Sequence, residues 1–406
     1  MNNLIAGEPF RILWICSHRT HRYEELSLFL RAGAEIVPII TSNDEYPNAV
    51  ELTEESDPLN PGWRELNTIP TEILHRLRSI NYYERAVAEE DQRLINKWID
   101  LVIIASYTKI LVSFLSWFDG FLMLRAFGGY PYSAILRPHT REGKRNLERI
   151  AQTDRYFWSP NIPYLSATED PRITRNAVII PAAVSSERYP CEWFGLDSDT
   201  YIAEVISLIA RDRLDTYHSF LNSYKELPLR IFGQNTKGGP DGSDPRIVGT
   251  LTDEEYYQQL ARCRAMLYEG LSSPYHIHYH ALEALAMKIP VIFFSNASIA
   301  HFARYYGATE EYLRDAGMCD SPDKALQRAK DCLRDPGAAV ELSQKQGDLR
   351  DCFSPSKAQA AVKDLIYSLK LKRNYFRNHH HRFAGHPSFL ARSRRYIRRL
   401  LASPGR

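Results

Sequence analysis

Short apolar blocks alternate with helix-patterned stretches along this chain, and the alternation runs twice. Residues 11–16 (RILWIC) read as a buried strand, 23–32 as an amphipathic helix, and 35–40 (EIVPII), after Gly33, as the next strand. A helical segment over 71–98 leads to the strand 101–105 (LVIIA), and the apolar runs 121–124 and 177–180 continue the rhythm. From residue 201 the pattern restarts. Strands at 201–209, 229–232, 265–268 and 290–294 interleave with helices at 215–226, 253–263 and 278–287. Strands that are apolar throughout need helices on both faces, which a parallel sheet with crossover helices supplies. The expectation is therefore α/β, with two doubly wound Rossmann-like sheets facing a cleft. The first domain is expected over 1–185 and the second over 186–355. A helical extension over 356–406 comprises a crossover helix and a basic amphipathic tail.

A chain of 406 residues, 44% of them hydrophobic, has ample apolar material for two cores. No stretch reaches the roughly 18 uncharged apolar residues of a spanning helix; the nearest, 110–124, contains Asp119. The amino-terminal residues lack the pattern of a secretory leader, so a cytoplasmic protein is expected, peripheral at most on the cytoplasmic face of a membrane. Six cysteines are scattered without a CxxC pair, which argues against a disulfide framework or a structural zinc.

The net charge of +2 conceals an asymmetry. Residues 365–406 hold 11 Lys or Arg and no Asp or Glu, leaving 40 basic against 49 acidic residues in the rest. An acidic body does not suit a nucleic-acid backbone, so nucleic acid is excluded as a partner. The tail sets Phe389, Leu390, Tyr396, Ile397, Leu400 and Leu401 on one helical face and five arginines on the other. This pattern, taken over 371–406, suits an anionic membrane surface; packing on the acidic body is the alternative.

In open parallel sheets, ligands sit beyond the carboxyl ends of the strands, where helix amino termini attract anions. The first such loop, residues 17–22, lacks the GxGxxG of a dinucleotide site. It offers His18, His21 and Arg22 instead. A histidine there, or His139 further on, is a candidate general base; solvated loop residues are the plain alternative. Arg125, Gly128 and Gly129 follow another strand and are candidate acceptor contacts. Arg211 and Arg213 follow the first strand of the second half and suit a diphosphate, because planar guanidinium forks grip phosphate oxygens. Asp197-Ser198-Asp199 precedes a strand and reads as a turn. His276, His278 and His280 alternate without a carboxylate at ligand spacing, so no metal site is expected.

The most specific segment is 265–294, AMLYEGLSSPYHIHYHALEALAMKIPVIFF. Its stretch Leu282-Glu283-Ala284-Leu285-Ala286-Met287-Lys288-Ile289-Pro290-Val291-Ile292 resembles the donor-binding core of glycosyltransferases with the two-Rossmann-domain GT-B architecture. Within that fold it is similar to glycosyltransferase family 4, the group 1 type. Ile179-Ile180-Pro181-Ala182-Ala183-Val184 resembles the family's interdomain segment, and Val248-Gly249 with Thr252-Asp253-Glu254-Glu255 its glycine before an acidic helix.

The resemblance implies transfer of a sugar from a nucleotide-diphosphate donor, as substrate and with no other cofactor, to a glycan or glycolipid acceptor of the cell surface. Glu283 falls on the glutamate that binds the ribose hydroxyls. Arg211 or Arg213 would meet the diphosphate, with Gly233, Ser273, Tyr275, His276 and His278 around the donor. Tyr275 stands where the family has a glutamate, and Ile289 where it has a glycine. No Lys follows Arg211 at the family's interval. A nucleotide-sugar epimerase of the same fold and a non-catalytic GT-B-like partner protein are the competing expectations.

Overall fold

A computed structural model describes residues 8–16, 19–39, 62–83, 86–106, 108–128, 131–205, 214–233, 244–249, 251–269 and 275–379, with side chains at 19–22, 214, 216 and 374–379 outside that description. Among these residues two sheets form. The first contains β1 (Phe10–Ile15), β2 (Ala34–Ile39), β3 (Leu101–Ala105), β4 (Phe121–Ala126) and β5 (Tyr156–Pro160). Their order is β2-β1-β3-β4-β5 and every pairing is parallel. Between them run α1 (Arg19–Arg31), α2 (Thr71–Ser79), α3 (Glu89–Trp98), α4 (Thr108–Phe114), α5 (Tyr132–Ile135) and α6 (Arg141–Gln152). Pro38 lies in β2, an edge strand, where the N–H it lacks is least needed.

The second sheet contains β6 (Ile202–Val205), β7 (Leu229–Phe232), β8 (Ile247–Gly249), β9 (Ala265–Tyr268), β10 (Val291–Phe294) and β11 (Met318–Cys319), in the order β11-β10-β9-β6-β7-β8, again all parallel. Its helices are α7 (Leu214–Ser223), α8 (Asp253–Ala261), α9 (Tyr279–Ala286), α10 (Ser298–Tyr305), α11 (Glu310–Asp315), α12 (Pro322–Arg334), α13 (Pro336–Lys345) and α14 (Gly347–Cys352). The helix starts are written in the chain. Thr252 and Glu255 form a reciprocal capping box on α8, and Ser321 caps α12 with Pro322 at its first position.

The last helix, α15 (Pro355–His379), returns to the first sheet. Ala358, Val362, Leu365, Ile366 and Leu369 recur at helical spacing and join the cluster around Phe10, Ile12, Trp14 and Ile103. Arg373 closes the contact with a 2.8 Å ion pair to Asp100 and a 3.0 Å bond to the Pro9 carbonyl. No described helix is long and apolar enough to cross a membrane.

Several local expectations change. The segment 71–98 holds two helices, α2 and α3, rather than one. Residues 177–180 make no ladder. They run beside β5 with one close bond, Val178 N–H to the Trp158 carbonyl at 2.8 Å, and then reach Pro181. The sheet is instead extended by β5, whose sequence YFWSP ends in a proline. The Asp197-Ser198-Asp199 segment is a turn as expected, with Asp199 paired to the exposed Arg262.

Candidate functional site

Both sheets reverse strand order beside their first strand, between β1 and β3 and between β6 and β9. These are the switch points where crevices open at the carboxyl ends of parallel strands. The segments that follow the strands of one sheet meet those of the other. Gly128, two residues beyond β4, forms an antiparallel bridge with His276, beyond β9. Gly128 has φ +92°, and a Cβ built on it would lie 1.9 Å from the Tyr275 carbonyl oxygen. A side chain is therefore excluded where the two lobes touch backbone to backbone. Tyr164, after β5, packs its ring at 6.0 Å from Tyr275 and 6.1 Å from His301, and its hydroxyl lies 3.4 Å from the Ser298 carbonyl.

On the second lobe, His276, His278 and His280 stand at and just inside the amino end of α9. Their rings are arranged edge to face at 4.8 Å for the first pair and stacked at 5.0 Å for the second. The Tyr268 hydroxyl lies 3.2 Å from His278 Nδ1. Among the described residues no three His, Cys, Asp or Glu are placed to hold a metal. Protonated imidazoles here would add to the positive end of the helix dipole, a setting that favours an anion.

The junction also contains three buried ion pairs, made by two arginines, that sequence reading did not foresee. Arg125 in β4 is 0% exposed. Its guanidinium donates to both oxygens of Glu25 in α1, at 2.9 and 2.7 Å, and to the Ser159 carbonyl at 3.1 Å. Arg125 is thus a structural partner of Glu25, and its expected role as an acceptor contact is corrected: no face of the group is open to a ligand.

Glu283 is 4% exposed on α9. Its carboxylate lies 3.4 Å from Arg188 Nη1 and accepts from the Tyr257 hydroxyl at 3.4 Å. Where the resemblance implies a ribose contact, the side chain faces the lobe junction and is paired with an arginine of the connector. The same guanidinium reaches Glu24 of α1 at 3.5 Å and donates to the Tyr257 hydroxyl at 2.8 Å. Burial pushes the Glu24 carboxyl up to about 7, against the pull of Arg188.

A second pair of carboxyls lies at the switch point of the second sheet. Glu204 in β6 is 3% exposed, and Glu269 directly follows β9. Burial, and then Glu269, push Glu204 well above the ordinary carboxylate range. Among the described residues, its Oε2 and the buried Tyr224 hydroxyl have no hydrogen-bond partner. One acidic residue inside the apolar strand sequence YIAEV was the signal available for this site.

Of the other residues singled out from the sequence, Tyr275, His276 and His278 are half-buried at the junction, and Gly128 lies against Tyr275 and His276. Gly233 follows β7 with φ +147°. His139 is exposed just before α6. His18, Gly129, Arg211, Arg213 and Ser273 lie outside the described residues, as do the side chains of His21 and Arg22.

No protein-family model matches the chain, and no curated protein does. Solved structures resemble it in fold. An O-GlcNAc transferase mutant from Thermobaculum terrenum superposes with a TM-score of 0.52 at 13% identity, over 90% of this chain and 67% of its own. The Glycyrrhiza uralensis UGT73P12, complexed with glycyrrhetinic acid 3-O-monoglucuronide, gives 0.50 at 10% identity, over 91% of this chain and 98% of its own. Two parallel sheets with meeting carboxyl-end segments, a carboxyl-terminal helix returned to the first sheet, and these likenesses together identify the chain as having the GT-B glycosyltransferase fold.

Proposed function

We propose that the protein is a glycosyltransferase that moves a sugar from a nucleotide-diphosphate donor to an acceptor hydroxyl of a cell-surface glycan or glycolipid. The observation that supports this reading most is the meeting of post-strand segments from both sheets at Gly128 and His276. The donor would lie against the second lobe, its diphosphate at the amino end of α9 beside Tyr275, His276 and His278, with Ser273, Arg211, Arg213 and Gly233 as further candidate contacts. Negative charge develops on the departing diphosphate, so a fixed positive dipole aimed there lowers the barrier most. The acceptor would approach from the first lobe past residues 17–22 and 128–139, where His18, His21 and His139 are the candidate bases.

A panel of nucleotide sugars tested by thermal shift checks the reading. One donor is expected to raise the melting temperature, because a ligand that binds the native state alone stabilises it. No shift with any nucleotide diphosphate or its sugar would overturn donor binding. Product analysis with donor alone then separates transfer from epimerisation: a new sugar epimer without acceptor identifies an epimerase.

The basic tail gives a second, separable expectation. Residues 380–406 carry seven arginines and no acidic side chain, and each basic group near an anionic surface contributes about 1 kcal/mol. Deleting 380–406 is expected to abolish co-sedimentation with phosphatidylserine vesicles at low salt; unchanged co-sedimentation would remove the membrane contact.

A further inference from the structure

The rim of the first lobe carries positive charge that the chain does not neutralise. Helix α6 joins the end of β4 to the start of β5, two parallel strands, so it runs back across the sheet. Its first turn therefore stands at the carboxyl edge, where the crevice opens. Residues 136–150 hold five basic and two acidic residues, whereas residues 1–364 as a whole hold 40 basic against 49 acidic. The stretch runs against the charge of the body around it. Arg137, Arg141, Lys144 and Arg145 are exposed, as are the two carboxylates of the stretch, Glu142 and Glu148. Among the described residues none of the four cations forms an ion pair.

Arg137 is also held where its residue type is unfavourable. Its φ is +50°, in the left-handed region, and Pro138 follows, which biases the preceding residue toward extended backbone. The Arg137 carbonyl is fixed from two sides. It accepts from the Thr140 N–H at 2.9 Å and the Thr140 hydroxyl at 2.8 Å, and a Cβ built on Gly143 would lie 2.0 Å from it. A glycine would meet the same backbone demand without strain. A strained, exposed arginine with no ion pair among the described residues points to a contact outside the chain.

We propose that this rim binds the acceptor and that the acceptor is an anionic glycan, its acidic groups lying across Arg137, Arg141, Lys144 and Arg145. The inference rests on the reading that the first lobe takes the acceptor, and adds the acceptor's chemical class. Guanidinium forks grip carboxylate and phosphate oxygens alike. An anionic membrane fits this surface less well. Ile135, 43% exposed, is the one large apolar side chain exposed over 131–152, where an interfacial helix needs a row of them. Nucleic acid would overhang the patch onto the acidic body.

Fluorescence anisotropy on the full chain at low salt tests the proposal, with labelled hexagalacturonate as the carboxylate probe and a labelled glycerol-phosphate oligomer as the phosphate probe. The wild type is expected to bind at least one of them, more weakly as salt rises, and to ignore an equally labelled dextran oligomer. The tighter probe assigns the acidic group. Arg141→Gln with Lys144→Gln and Arg145→Gln is expected to weaken that binding about tenfold. A matched change in the tail, Arg392→Gln with Arg394→Gln and Arg395→Gln, is expected to leave it unchanged. Arg137→Gly is expected to bind more weakly while melting no lower than the wild type, which separates its loss from unfolding. The proposal is overturned by a wild type that binds neither probe, by equal losses in the rim and tail variants, or by a rim variant that keeps the probe and loses phosphatidylserine vesicles. The nucleotide-sugar thermal shift reports separately. A donor shift without probe binding removes the anionic acceptor and leaves transfer standing; probe binding without any donor shift removes transfer and the acceptor role with it.

Discussion

Gly128 shows how one atom controls the junction. Two penalties fall on a side chain there: a backbone at φ +92°, and a carbonyl oxygen 1.9 Å from the new Cβ. Gly33 provides the comparison, since it has φ +76° but nothing within 4 Å of a built Cβ. Gly33→Ala is expected to lose about 1–2 kcal/mol from conformation alone. Gly128→Ala adds an overpacking loss of about 1–3 kcal/mol to the same conformational term. Urea unfolding of both variants checks the ordering, and equal losses would mean that the Tyr275 carbonyl moves aside freely. The buried arginines teach a related lesson. Arg125 and Arg188 lie at positions where an open guanidinium would suit an anion, yet each is enclosed by carboxylates of the same chain.

Helix α15 makes the molecule's two ends meet. Its stripe of Ala358, Val362, Leu365, Ile366 and Leu369 covers the helix-facing side of the first sheet, and Gln359 donates to the Leu28 carbonyl of α1 at 3.0 Å. Leu369 is 0% exposed. Leu369→Ala is expected to destabilise the protein by about 2–5 kcal/mol, the range for a buried leucine that leaves a cavity. Chemical denaturation measures the loss; a change below about 0.5 kcal/mol, typical of surface positions, would mean that α15 is not docked on the sheet in solution. The stripe was visible in the sequence as a helical period over 356–371. A crossover helix was expected there, but the residues it covers were not legible, because an apolar stripe specifies that something covers it and not which side chains do.

Taken as one body, the protein holds carboxyls that prefer to be neutral when folded. For a group whose folded pKa is raised, stability is fully present below the unfolded value and is lost as pH climbs through the folded one. Glu24, raised from 4.5 to about 7 by burial, is expected to remove about 3 kcal/mol of stability across that window. Glu204 acts in the same direction at higher pH. Denaturant midpoints measured near pH 5 and pH 8 are expected to fall with rising pH in the wild type, and less steeply in Glu204→Gln. An equal slope in the two proteins would show that Glu204 is not buried as described.

How far the chain could be read in advance follows from the range of each interaction. β3 and β7 were located to the residue, and β10 to within one, because an apolar run between breakers is a property of neighbouring residues. The parallel α/β architecture followed from the same local alternation. The partners of the charged groups did not, since Arg125 meets a glutamate 100 positions away and Arg188 one 164 positions away. Whether a side chain beyond a strand waits for a ligand or closes an internal bridge depends on which distant carboxylate folding delivers to it. That choice belongs to the packing of the two sheets, where burial strengthens electrostatics enough to select the pair.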